Sequence, residues 1–373
     1  MQDVMGIVLT ENNDVKLSGL TTYRALAAVP VVGRYRIIDF VLSNMANSDV
    51  QHIGVTTQYN YRSLMYHLGA GKQWNLNRKN GGLFVLPPYV ISENVGLSKG
   101  VISTIYGIMG YIATGKQKYV AISSSNVICN IDYGKVLDFH ESNGADITVV
   151  YMNDETYTPE SLSRNVLLKV DDSNRVKEIE VLPMRPKNKN ISMGIYIMER
   201  TLLEHLVEDC ISHGEHDFVM DILLKNLDEF KILGYEHKGY CRIIDDIKTY
   251  FNFNMELLEG EVRRELFNPV RKIYTSVKDT FSTKYADGAV VKNCLVADGC
   301  LVEGNIENCI LSRGVRIKKG SELKNCIVMQ DTEVGRDCRL EYVVLDKEVK
   351  VRTGVQLIGQ KNFPVVIEKR RTV

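Results

Sequence analysis

Asn293-Cys294-Leu295-Val296 returns as Asn308-Cys309-Ile310-Leu311, as Asn325-Cys326-Ile327-Val328 and, with altered first residues, as Tyr342-Val343-Val344-Leu345, at intervals of 15, 17 and 17 residues. Inside each period the aliphatics recur every six positions: Leu311, Ile317, Leu323; then Val328, Val334, Leu340; then Leu345, Val351, Leu357. The step between one set and the next is five. Six, six and five residues describe one turn of a triangular coil, in which three short strands stack their inward aliphatics on those of the next turn. The beat predicts a left-handed parallel β-helix over residues 286–373. Gly288, Gly299, Gly304, Gly314, Gly320, Gly335 and Gly354 fall between the strands, where the chain must bend sharply or take positive φ. The small Asn and Cys of each unit are expected to form interior or corner ladders.

Upstream, β-rich runs alternate with helical patterns. Strands are predicted at Met5 to Leu9, His52 to Thr56, Tyr119 to Ser123, Asp146 to Tyr151, Val166 to Val170 and Met193 to Met198. Helices are predicted at Asp39 to Asn47, Tyr61 to Leu68, Val101 to Ala113 and Tyr133 to Ser142, with a closing helix near 246–258. This rhythm implies an α/β domain over 1–258, a Rossmann-like, mostly parallel sheet covered on both faces, and then a connector over 259–285. Ligands of such sheets sit in loops at the carboxyl ends of the strands. The loops after Leu9 and Ser123 are therefore the places to look for chemistry.

The chain has 373 residues, with 46 Lys+Arg against 46 Asp+Glu. A net charge of zero disfavours charge-driven binding to nucleic acid or to an acidic membrane. Apolar runs fall short of the roughly 18 residues that spanning a bilayer needs. Met1-Gln2-Asp3-Val4 has no basic region followed by an apolar one, which predicts a cytoplasmic, reducing setting. The eight cysteines contain no C-x-x-C pair, so buried free thiols are expected rather than a zinc site. No histidine lies beyond His237, which argues against an acyltransferase with its site on the coil.

With these loops in view, the sequence resembles the ADP-glucose pyrophosphorylases (glucose-1-phosphate adenylyltransferases). The resemblance rests on Val29-Pro30, on Gly33-Arg34-Tyr35-Arg36-Ile37-Ile38-Asp39-Phe40-Val41-Leu42-Ser43-Asn44, and on Thr57-Gln58-Tyr59 and Gly144-Ala145-Asp146. It continues through Ser192-Met193-Gly194-Ile195-Tyr196, His216-Asp217-Phe218 and Asn254-Met255-Glu256-Leu257-Leu258. The resemblance implies a nucleotidyltransferase domain joined to a β-helix, and a reaction of ATP with glucose 1-phosphate that serves glycogen synthesis.

That reaction needs backbone N–H donors, cations and Mg²⁺ around a reacting polyphosphate. The family's glycine-rich phosphate loop is here Glu11-Asn12-Asn13-Asp14-Val15-Lys16-Leu17, without a glycine and with two new acids. The lysine of its Arg-Ala-Lys-Pro-Ala run is Leu26, and its Arg-Gly-Thr-Ala-Asp-Ala loop is Lys99-Gly100-Val101-Ile102-Ser103-Thr104. Its two magnesium-holding aspartates correspond to Asn126 and Ile243; Asp245 and Asp246 lie just beyond and are expected to be loop or helix-start residues. No catalytic residue and no metal ligand are therefore assigned. Arg185 and Ser192 correspond to sugar-phosphate contacts, Arg34 to a position at which the family binds anionic effectors, with Arg36 across Tyr35 read as regulatory beside it, and Gln58 to a loop coupling effector and active sites.

The resemblance with these losses implies a catalytically silent, D-type regulatory subunit. Such a chain pairs with an active homologous subunit in a heterotetramer, or with itself, and responds to a sugar phosphate or an anionic effector. It holds no cofactor itself, the Mg²⁺ belonging to the active partner. The alternative is an active adenylyltransferase with displaced metal ligands.

Overall fold

The structure is a computed structural model that describes residues 1, 3–10, 17, 19–57, 60–87 and 100–373. The chain divides into two compact units. The first comprises 1–11, 41–58 and 69–241; the second comprises 12–40, 59–68 and 242–373. Segments 12–40 and 59–68 are thus grouped with the coil. Within 259–285 lies the helix Gly260–Leu266.

The first unit is built on a nine-stranded sheet. Strands Tyr119–Ser124, Val4–Leu9, His52–Thr56 and Gly82–Leu86 lie side by side and parallel. Val4–Leu9 is buried throughout, as a central strand covered on both faces must be, and its apolar run needs no alternation. Strand Asn190–Glu199 enters antiparallel to Tyr119–Ser124, with Ile195 opposite Ser123, and pairs on its other side with Ile147–Asn153, which in turn runs parallel to Ile232–Glu236. Because the parallel strands share one direction, their carboxyl ends form one edge. The antiparallel register brings the start of Asn190–Glu199 to that same edge.

The six predicted strands are all present with small shifts at their ends. The helix expected over 101–113 is interrupted: Val101–Gly107 ends at Ile108, which has φ −109° and ψ 13°, and Met109–Thr114 follows. Gly107 and Gly110 flank the break and weaken the helix there.

In the second unit the coil is a left-handed parallel β-helix of three five-stranded parallel sheets, each taking every third strand. Val302, Ile317, Val334 and Val351 stack inward on one face, Ile306, Leu323 and Leu340 on another, and Leu311, Val328 and Leu345 on the third. Outward positions divide the faces. Arg316, Glu333 and Lys350 project from the first face; Glu322, Lys324, Arg339 and Glu341 project from the second. On the third, Ile310, Ile327 and Val344 are buried, and a Cβ on Gly33 would touch Leu311 O and Ile310 Cγ2. The third face is therefore the one that packs against the rest of its unit.

The corner residues explain the ladders. Thr283, Cys309, Ser321, Cys326, Thr332 and Cys338 each donate their side-chain hydrogen to a backbone carbonyl 14 residues ahead. Several also accept an N–H from the next turn: Cys300 N to Thr283 Oγ1 at 3.2 Å, Cys338 N to Ser321 Oγ at 3.0 Å and Val349 N to Thr332 Oγ1 at 3.3 Å. Small donor-acceptor side chains thus satisfy backbone groups that the bends leave unpaired. Asn293, Asn308 and Asn325 all take left-handed φ near +50°, a region Asn tolerates better than most residues. All eight cysteines are free thiols, seven of them buried. Gly335 is required by contact rather than by φ, since a Cβ would lie 2.7 Å from Thr353 N and 2.8 Å from Val351 O.

Candidate functional site

At the carboxyl edge of the sheet, strand Tyr119–Ser124 delivers Ser124, Ser125 and Asn126. Asn126 is buried, and its Oδ1 accepts a hydrogen bond from Ser124 Oγ at 2.7 Å. Ser192 is also buried there; Gly194 N donates to its Oγ at 3.4 Å, and a Cβ on Gly194 would lie 3.0 Å from Ser124 Cβ. The register of the antiparallel pair thus gathers Ser192 with Asn126 at one edge. Arg185 lies upstream in the loop before that strand and is exposed. Residues 11–16, Gln58 and Lys99 lie outside the described residues.

The donors do not fit a magnesium ion. Asn126 offers a neutral amide whose oxygen already accepts from Ser124. Ile243 is a buried alkyl side chain. Asp245 and Asp246 are committed to starting the helix Ile247–Glu256. Asp246 Oδ1 accepts from Thr249 N at 2.6 Å in a capping box, and Asp245 Oδ1 accepts from Thr249 Oγ1 at 2.8 Å. Mg²⁺ prefers anionic oxygens and gives up water reluctantly, so each of these positions, taken by itself, has little to offer it. Among the described residues no group of three or more His, Cys, Asp or Glu side chains is placed to hold a metal.

The second unit carries a different site, a cavity of about 170 Å³ lined by Arg34, Arg36, His67, Lys278, Arg313 and Lys347 together with Tyr66, Ser276 and Gln330. Among the described residues no carboxylate lines it. The hairpin Pro30–Val31 and Tyr35–Arg36 supplies the first two cations. Its turn holds Val32 at φ +52°, a strained conformation for a β-branched residue, and Asn254 Oδ1 steadies it by accepting from Val32 N at 2.9 Å. Arg34 lies over the Tyr35 ring at 5.0 Å and donates to the Tyr35 hydroxyl at 2.8 Å. Arg36 donates to Ser63 O at 2.7 Å; burial pushes its guanidinium down to about 10, still charged at neutral pH. Burial, and then the neighbouring Arg34, lower the Arg313 guanidinium.

Two buried pairs hold the frame behind these cations. Arg24 makes a bidentate bridge to Asp346, both contacts at 2.8 Å, with both side chains buried. His67 Nε2 meets the buried Asp39 Oδ1 at 2.5 Å, while Asp39 Oδ2 accepts from Arg36 N at 2.9 Å. With these carboxylates held behind the wall, the lining among the described residues is rich in cations and carries no carboxylate of its own. Such a surface suits an anion carrying more than one negative charge.

Sequence reading reached Arg34 and Arg36 but missed His67, Lys278, Arg313 and Lys347. A signal for two of them was present in the repeat. The residue five after the start of each tetrad is Asp298, Arg313, Gln330 and Lys347, one corner column that ends in the cavity lining. Reading corners as well as inward positions would have exposed it.

Known proteins agree with this architecture. The nucleotidyl transferase family model matches residues 6–258, and a GlmU-like C-terminal hexapeptide model matches residues 277–362. The glycogen biosynthesis protein GlgD of Bacillus subtilis is 37% identical over 98% of this chain and 96% of its own. Glucose-1-phosphate adenylyltransferases of Acetivibrio thermocellus and Bacillus mycoides are each 33% identical, over 97% and 98% of this chain and 85% and 97% of theirs. No helix among the described residues is long and apolar enough to cross a membrane. With both domains matched in order and relatives aligned almost end to end, this chain belongs to the nucleotidyltransferases, in the ADP-glucose pyrophosphorylase family that includes the glycogen biosynthesis protein GlgD.

Proposed function

We propose that this chain is a regulatory, catalytically deficient subunit of a glucose-1-phosphate adenylyltransferase. It pairs with an active homologous subunit in a heterotetramer and modulates ADP-glucose synthesis from ATP and glucose 1-phosphate in the cytoplasm. The observation that carries this reading is the contrast at the two former aspartate positions: Asn126 and Ile243 bring no charge, and the neighbouring Asp245 and Asp246 serve as helix-start residues. Magnesium and the chemistry then belong to the partner. The cationic pocket around Arg34, Arg36 and Lys347 is the effector site, binding an anionic metabolite and shifting the partner's conformational equilibrium by a coupling of about 1–3 kcal/mol. Ser192 and Arg185 are assigned to a sugar phosphate at the sheet edge.

The deciding experiment measures ADP-glucose formation by the purified chain with ATP, glucose 1-phosphate and Mg²⁺, alone and mixed with an active homologous subunit. The proposal expects background turnover alone and, in the mixture, a changed substrate affinity or effector response. Substantial turnover by the chain alone would instead establish an active enzyme with displaced metal ligands.

A further inference from the structure

We propose that the cationic pocket binds its dianion together with one proton, taken up by the Lys347 amine. The inference rests on the reading of this pocket as an anion site and adds a rule for its regulation. Its basis is the crowding around one side chain. Lys347 lines the cavity at a corner of the coil, where Arg36 of the hairpin, Arg24 before the turn Leu26–Ala28 and Lys369 of the last turn all lie close enough to repel its charge.

The acid that precedes it, Asp346, is already engaged. Both Asp346 oxygens are bound by Arg24, and Oδ1 also accepts the backbone N–H of Lys347 at 2.7 Å. Glu348, the next residue, pairs with Lys369 at 3.4 Å and Arg370 at 2.7 Å. The acid on the hairpin side, Asp39, is shared by His67 and Arg36 N. Among the described residues the Lys347 amine therefore has no carboxylate partner. Burial first, then Arg36 and Arg24, push this lysine down to about 7. In the empty pocket it loses its proton as the pH rises through neutrality, and a bound dianion supplies the missing counter-charge and calls the proton back.

The sign follows directly. Below about pH 6, Lys347 is charged with or without ligand, so binding moves no proton. Near pH 8 the free pocket is mostly deprotonated at this site and the occupied pocket is not, so binding takes up close to one proton and affinity falls about tenfold from its value near pH 6.

Sulfate is the suitable probe because it stays a dianion across this range. Calorimetric titration of the full chain with sulfate, in buffers of differing ionisation enthalpy, reads proton uptake directly. Uptake approaching one proton per sulfate near pH 8 and almost none near pH 6 is expected. In Lys347→Arg, whose cation does not titrate, uptake should vanish and affinity should become flat with pH. Sulfate binding without uptake in the wild-type chain overturns the proton linkage and leaves the anion site standing. Uptake that survives in Lys347→Arg moves the proton to another group and also overturns it. Failure of sulfate to bind at any pH overturns the anion site itself.

Discussion

At the carboxyl edge of the sheet, the oxygen of Asn126 is occupied by a serine hydroxyl, and in the other unit the aspartates that follow Ile243 begin a helix. In the coil-bearing unit, the cavity is lined by arginine, lysine and histidine with no carboxylate among the described residues, and the acids behind it are spent on Arg24, His67 and the hairpin backbone. One region offers, at Asn126 and Ile243, no anionic oxygen of the kind Mg²⁺ prefers; the other lines its cavity with basic side chains. Site chemistry is separable from scaffold, because a strand edge packs alike whether it carries a carboxylate or an amide. The two regions can be set against each other experimentally.

The largest effect is expected at the frame of the pocket. Asp346→Ala leaves the Arg24 guanidinium buried without its partner, which costs about 3–5 kcal/mol of folding stability. Urea denaturation measures it, and a loss below about 1 kcal/mol would mean that water reaches the pair freely. Replacing both partners, as in Arg24→Met with Asp346→Leu, should recover much of the loss while weakening sulfate binding.

Ligand response separates the regions more directly. Sulfate at a hundred times its dissociation constant should stabilise the chain by about 2.7 kcal/mol, whereas Mg²⁺ at millimolar concentration should leave the melting temperature unchanged. Arg36→Ala should reduce the sulfate effect. A magnesium-induced rise that disappears in Asn126→Ala would reverse the assignment of the edge.

How much of this was legible beforehand depends on what each feature needs. The coil was readable because its inward residues repeat in sequence: Ile317, Val334 and Val351 stack where the 17-residue beat places them. The strands were readable because Val4–Leu9 and Tyr119–Ser124 are central and apolar. The pocket was only half readable, because His67 and Lys347 approach Arg36 through tertiary folding that no local pattern records. The corner ladders were visible as small residues, but their hydrogen bonds reach 14 residues ahead and join different turns. The break at Ile108 was missed because the apolar spacing runs through it.

The corner relays give a third, smaller test. Thr332→Val keeps the shape but removes the bond to Asp346 O at 2.8 Å and the acceptor for Val349 N. A loss of about 1–3 kcal/mol is expected. Because Asp346 anchors Arg24, sulfate affinity should also weaken, while any property of the sheet edge should not. An unchanged sulfate affinity would show that the corner and the pocket are mechanically independent.

The smallest expected change is the most informative about the aspartates that follow Ile243. If Asp246 is a helix cap, Asp246→Ala removes the acceptor for Thr249 N and half of a capping box, costing about 1 kcal/mol. Asp246→Asn retains a capping oxygen and should restore most of that stability, since Asn caps about as well as Asp. A metal ligand would respond differently, because the amide lacks the anionic oxygen that Mg²⁺ prefers, and Asn would be as damaging as Ala. Stability and Mg²⁺ response measured on the two variants therefore answer one question with opposite patterns. Rescue by Asn, with no magnesium effect in either variant, places Asp246 in the architecture of the helix Ile247–Glu256; failure of rescue, accompanied by a lost magnesium effect, places it in a metal site.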